Sequence, residues 1–114
     1  MAAEVLLVIS TFPDAESARR IAHQLVTDKL AACANITAPV HSIYHWQGKI
    51  ETGEETMVFF KTTVVRCGDL QARLRELHPY DVPEIVALQI ADGLPDYLEW
   101  VAASCAPSAA PKGG

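Results

Sequence analysis

No two cysteines in this chain form a CxxC pair. Cys33, Cys67 and Cys105 are spread too widely for a zinc ribbon or a dithiol redox motif, and an odd number argues against a disulfide framework. They read as reduced thiols. Basic residues are scarce: nine Lys and Arg stand against fourteen Asp and Glu, and none of the nine forms a run. The resulting net charge of −5 excludes the clustered cationic surface that nucleic-acid binding requires. The nearest thing to a targeting signal is "VLLVI" at residues 5–9, which follows Glu4 with no basic segment before it. It is too short for a signal peptide or a membrane span, so it reads as a buried strand of a cytoplasmic protein that touches no membrane. Catalytic signatures are missing as well. There is no G-x-S-x-G, no pair of catalytic carboxylates and no phosphate-cradling glycine loop, so the chain is not expected to be an enzyme.

What is present is apolar and patterned. Half of the 114 residues are hydrophobic, which excludes a disordered chain. The length fits one domain, expected over residues 1–105, with a disordered tail over 106–114 whose "APSAAPKGG" has no apolar period. After the first strand, Asp14 is placed to cap a helix, because its carboxylate can accept first-turn N–H groups. Ala18, Ile21, Ala22, Leu25, Val26 and Leu30 follow with the spacing of one helical face. Strand character resumes at 31–37 and 40–46, "QGK" at 47–49 is a tight turn, and a long strand runs from Ile50 to about Thr63. Leu70, Leu74 and Leu77 line a second helix, which Pro79 stops. "EIVALQI" at 84–90 is a last buried strand, and a short helix with Pro95 near its first turn closes the pattern. The order βαββαβ predicts an α+β, ferredoxin-like split βαβ fold: a four-stranded antiparallel sheet with two helices on one face.

Such a sheet leaves its second face to water, and its strands should then alternate apolar with polar. Here "VLLVI", "MVFF" and "EIVAL" are apolar on both sides, so something must cover that face. The strand from Ile50 to Thr63 would also run about 45 Å, well past the usual strand length. A ribbon that long projects from a small domain, with Tyr44 and Trp46 near its end. Self-association is the simplest cover, with Tyr44 and Trp46 as interface aromatics or a stacking surface for a planar ligand, and Trp100 as an interface or helix-docking aromatic.

The segments "TFPDAESARRIAHQLVTDKLAACANI", "SIYHWQGKIETGEE", "FFKTT", "HPYDVPEIVALQI" and "DYLEWV" occur in that order. With them the chain resembles the CutA divalent-cation tolerance family from about Val5 to Val101. The resemblance implies a ferredoxin-like subunit, a tight homotrimer similar in architecture to PII signalling proteins, and binding of copper or other divalent cations such as zinc. It places family metal-binding positions at Cys33, in "AAC", and His78, in "HPY". Some members carry a further Cys just before the T-x-P motif. Ser10 stands there in this chain, so the resemblance does not extend to a site built on two thiolates.

Each candidate has a plain structural alternative. His78 sits where a helix stops, and can serve the last carbonyls and the helix dipole. Alternatively its ring faces an inter-subunit cleft and binds copper or zinc with help from Glu84. Cys33 is either a small buried hydrophobe or a soft ligand for Cu(I). Glu51 and Glu55 share a strand face and could flank a polar cleft together with Lys61, or they are solvated hairpin carboxylates. Tyr80, just after His78, is a separate cleft candidate. His23, His41 and His45 lack ligand spacing and read as surface or packing residues. Acylphosphatases share the fold but need an Arg in the loop that here reads "TFPDAES", and "FFKTT" lacks the pattern of an RNA-binding strand. Two functions from different classes therefore stand: a trimeric metal-tolerance protein, and a PII-like signalling or scaffold trimer with a small ligand or protein partner in its inter-subunit clefts.

Overall fold

The computed structural model describes residues 4–106. Beyond Ala106, the expected tail lies outside the described residues. The element order is β1 (Val5–Phe12), α1 (Ala15–Thr27), β2 (Cys33–Ile36), β3 (Val40–Trp46), β4 (Lys49–Thr63), α2 (Val64–Leu77), β5 (Ile85–Gln89) and α3 (Pro95–Cys105). All pairings are antiparallel, in the order β2-β4-β1-β5, so the α+β, ferredoxin-like plan holds.

One feature exceeds the four-stranded expectation. The 15-residue β4 serves three ladders: residues 56–63 pair with β1, residues 58–61 also pair with β2 on the other edge, and residues 49–55 pair with β3. The ladder with β3 is a ribbon that projects from the body, and the molecule is accordingly elongated, 48 × 34 × 23 Å. Its turn places Gln47 at φ 51° and Gly48 at φ 79°. Two successive positive φ values twist a two-residue hairpin in the sense its strands require.

Local chemistry sets the helix ends. The Asp14 carboxylate accepts the Ser17 N–H at 2.7 Å and starts α1. Thr63 Oγ1 accepts the Arg66 N–H at 3.3 Å, so α2 begins at Val64, just after β4. The α2 ladder ends with the His78 N–H on the Leu74 carbonyl at 2.9 Å, and Pro79 has no N–H to continue it.

The main core lies between the sheet and α1 with α2. Val8 and Phe12 of β1 and Val58 and Phe60 of β4 meet Ile21, Leu25, Leu70 and Leu74 there. Each large side chain buried this way stabilises the fold by about 1.5–3 kcal/mol. The third helix was not expected to cross the sheet, yet it does. Val5 points away from the Val8 side by strand alternation, and it is buried against Val101 and Cys105 of α3. So α3 covers one end of the face that α1 and α2 leave free. The rest of that face holds Leu7, Ile9, Met57, Phe59, Val86 and Leu88, with Val86 45% and Leu88 47% exposed.

Candidate functional site

The segment "HPYDVPE" links α2 to β5. Pro79 turns the chain at once, so the His78 ring folds back under the sheet end instead of continuing the helix face. There it stacks on Phe12, with centroids 4.6 Å apart and planes at 18°. Its Nε2 lies 2.8 Å from the Thr11 carbonyl, and its Nδ1 accepts the Tyr80 N–H at 3.1 Å. A carbonyl can only accept and an amide N–H can only donate, so the ring is the neutral Nε2–H tautomer. Burial disfavours the imidazolium and lowers the His78 pKa, against the opposing pull of the Thr11 carbonyl and the Glu55 charge.

Tyr80 continues the network outward. Its hydroxyl donates to Glu55 Oε2 at 2.8 Å. Burial first, and then that hydrogen bond to a carboxylate, hold the phenol well above its ordinary pKa. Glu55 is the residue at which β4 leaves the body for the projecting ribbon, so Tyr80 ties the loop to the ribbon's base. A cleft of about 1060 Å³ opens between loop and ribbon. Tyr44, Trp46, Glu55, Tyr80 and Glu84 all line it; His78 does not, being buried behind the wall.

A second group sits elsewhere on the sheet. Cys33, Lys61 and Leu7 lie side by side across β2, β4 and β1. Cys33 Sγ is 3.7 Å from the Tyr97 hydroxyl of α3, and this hydrogen bond raises the Tyr97 pKa, as does burial. Lys61 Nζ donates to Asn35 Oδ1. Tyr97 in turn packs against Trp100, with centroids 5.6 Å apart, and Trp100 is 47% exposed. Asn35 was not anticipated, although strand alternation two residues after Cys33 would have found it. The Thr11 carbonyl was out of reach, since a backbone acceptor has no sequence signature.

Comparison with known proteins decides the family. The family model described as CutA1 divalent ion tolerance protein matches residues 6–104. The chain belongs to the CutA1 family. A CutA divalent-cation tolerance protein of Thermus thermophilus is 47% identical over 95 residues, which cover 83% of this chain and 92% of that one. The CutA1 crystal structure from Oryza sativa superimposes with a TM-score of 0.89 at 36% identity, covering 94% of this chain and 98% of the other. A protein of Archaeoglobus fulgidus, named a periplasmic divalent cation tolerance protein, gives a TM-score of 0.86 at 34% identity over 90% and 99% of the two chains.

Within this CutA1 chain the three expected metal ligands do not meet. Cys33 pairs with Lys61 while Thr11, the partner of His78, pairs with Met57, four residues away along β4. At about 3.3 Å per residue the two positions are separated by about 13 Å or more. Both His78 nitrogens are hydrogen-bonded, so the ring has no free lone pair for a metal unless the Tyr80 N–H lets go. Glu84 lies on the cleft wall, away from Cys33. Among the described residues no three His, Cys, Asp or Glu side chains are grouped to hold a metal ion. The residues therefore do not fit a copper centre within a single chain. Ser10 adds nothing toward one: it alternates onto the α1–α2 side of β1, whereas Cys33 points to the other. Nor do Glu51, Glu55 and Lys61 form one polar cleft. They share a face of β4, but Lys61 stands about 20 Å from Glu55 and about 33 Å from Glu51 along the strand.

Proposed function

We propose that this CutA1 chain, a single domain over 1–105, works as a cytoplasmic homotrimer that binds divalent cations, copper among them, and contributes to metal tolerance without catalysis. One observation carries the assembly: an apolar sheet face remains open beside α3, with Val86 and Leu88 nearly half exposed. Soluble monomers seldom tolerate so continuous an apolar surface, and neighbouring copies offer its cover. The projecting ribbon supports the same reading, since Trp46 at its end is 45% exposed. Three unpaired cysteines accord with a reducing compartment. Among the described residues, no helix is long and apolar enough to cross a membrane.

Cation binding in this reading draws on more than one subunit. Glu84 and Asp81 on the cleft wall are candidate oxygen donors, and a neighbour would complete the coordination. The separation of His78 from Cys33 favours the second reading too, a PII-like trimer that takes a small ligand or a protein partner in its inter-subunit clefts. A thermal-shift panel of Cu(II), Zn(II) and nucleotides distinguishes the two, because a ligand that binds only the folded form raises its melting temperature. A saturable shift with a metal supports the first reading, and one with a nucleotide alone supports the second. No shift with any of them counts against both.

A further inference from the structure

On the open face, one side chain is out of keeping with its surroundings. Lys61 lies half-buried in the second of four strands, with Leu7 and Cys33 beside it and Phe59 two residues before it on the same face. The ammonium can donate three hydrogen bonds, and its contact is the neutral amide of Asn35. Among the described residues Lys61 forms no ion pair; those found join Arg20, Arg66 and Arg73 to carboxylates on their own helices.

The surroundings form a corner. Leu7, Phe59 and Leu88 make an apolar floor, and α3 rises beside it, docked on Val5 by Val101 and Cys105. Tyr97, the residue one turn before Val101, reaches Cys33 next to Lys61, with the Trp100 ring packed at a tilt beside it. An apolar floor, an aromatic wall and one uncompensated cation complement an apolar body that carries one negative charge. If neighbouring copies cover this face, the ammonium loses water, and a desolvated cation without an anion is costly.

We propose that Lys61, with Asn35 and Tyr97, forms a binding site for a small amphipathic carboxylate on the face closed by trimerisation. The carboxylate would accept from the ammonium, and the apolar body would lie on Leu7 and Phe59 against α3. This proposal rests on the trimer reading above and names a ligand class for the face that trimerisation would close.

The test uses the full chain. Melting temperature is followed against benzoate, acetate and benzyl alcohol at constant ionic strength, with sedimentation run in parallel. Benzoate is expected to raise it saturably, acetate less, and benzyl alcohol not at all, because both charge and apolar body are needed. Lys61→Met is expected to weaken benzoate binding about tenfold or more, as the loss of a charge-assisted hydrogen bond would. Lys61→Arg, which keeps the charge, should retain most of the affinity and guards against a folding defect in the first variant. Equal shifts in the parent and Lys61→Met, or equal shifts with benzoate and benzyl alcohol, would overturn the site. So would a Lys61→Met variant that loses its assembly while benzoate leaves the parent unmoved, since the anion would then belong to a neighbouring subunit. A trimer unmoved by benzoate overturns the site alone. A monomer with a Lys61-dependent shift overturns the trimer reading alone.

Discussion

His78 closes on the carbonyl of Thr11, 67 residues earlier in the chain, at 2.8 Å. That bond, with the Phe12 stack and the Tyr80 N–H, makes the imidazole the pin between α2, the end of β1 and the loop that walls the cleft. Replacing it with alanine leaves a cavity under Phe12 and two backbone groups without partners. His78→Ala should therefore cost about 3 kcal/mol of stability, read as a lower urea midpoint with an unchanged slope. A variant that unfolds with the parent's midpoint would mean that the pin holds nothing.

The same ring gives the fold a pH dependence of defined sign. Its folded pKa lies below the ordinary 6.5, mainly because burial opposes the charged form. Between that folded value and 6.5, the unfolded chain binds the proton that the folded one refuses. Stability is complete above about pH 6.5 and falls as pH drops through that window, flattening below the folded pKa. Protonation would also place a hydrogen on Nδ1, facing the Tyr80 N–H. Urea midpoints of the parent measured from pH 8 to pH 5 should show the decline, and His78→Asn should lack this component of it. A rise in stability toward pH 5 would contradict the assignment.

The local elements were legible because their signals are local. Asp14 caps α1 through a residue three positions on, and Pro79 stops α2 by its own missing N–H. Leu70 and Leu74 repeat on one helical face, and both are fully buried. The two-sided apolar character of β1, β4 and β5 is enough to reveal an open face. What escaped was non-local. The crossing of α3 depends on Val5 meeting Val101 and Cys105, far away in the chain, and no period in "DYLEWVAASC" states which side of a sheet it will choose. The role of His78 escaped for the same reason: a helix-stop histidine looks alike whether it binds a metal or a distant carbonyl.

Ser10 offers a test of the core. It is fully buried, and its hydroxyl has no hydrogen-bond partner among the described residues. An unmet buried hydroxyl destabilises, so Ser10→Ala should raise stability by about 1 kcal/mol in the same urea assay. Lower stability in Ser10→Ala would show that the hydroxyl is satisfied in solution.

Trp46 tests the ribbon. It lies outside the chain's own core clusters, so in the proposed trimer its removal should spare the fold and weaken the assembly. Trp46→Ala is expected to cost about 3 kcal/mol of association free energy, seen as dissociation at protein concentrations where the parent stays intact. Identical sedimentation of variant and parent across dilution would leave the indole free for another purpose.

Closure of the open sheet face by neighbouring copies is tested most directly by the mass of the particle in solution. Analytical ultracentrifugation of the full chain at micromolar concentration should return three times the 12.4 kDa chain mass, without dissociation on tenfold dilution. A stable particle at the single-chain mass would contradict the account.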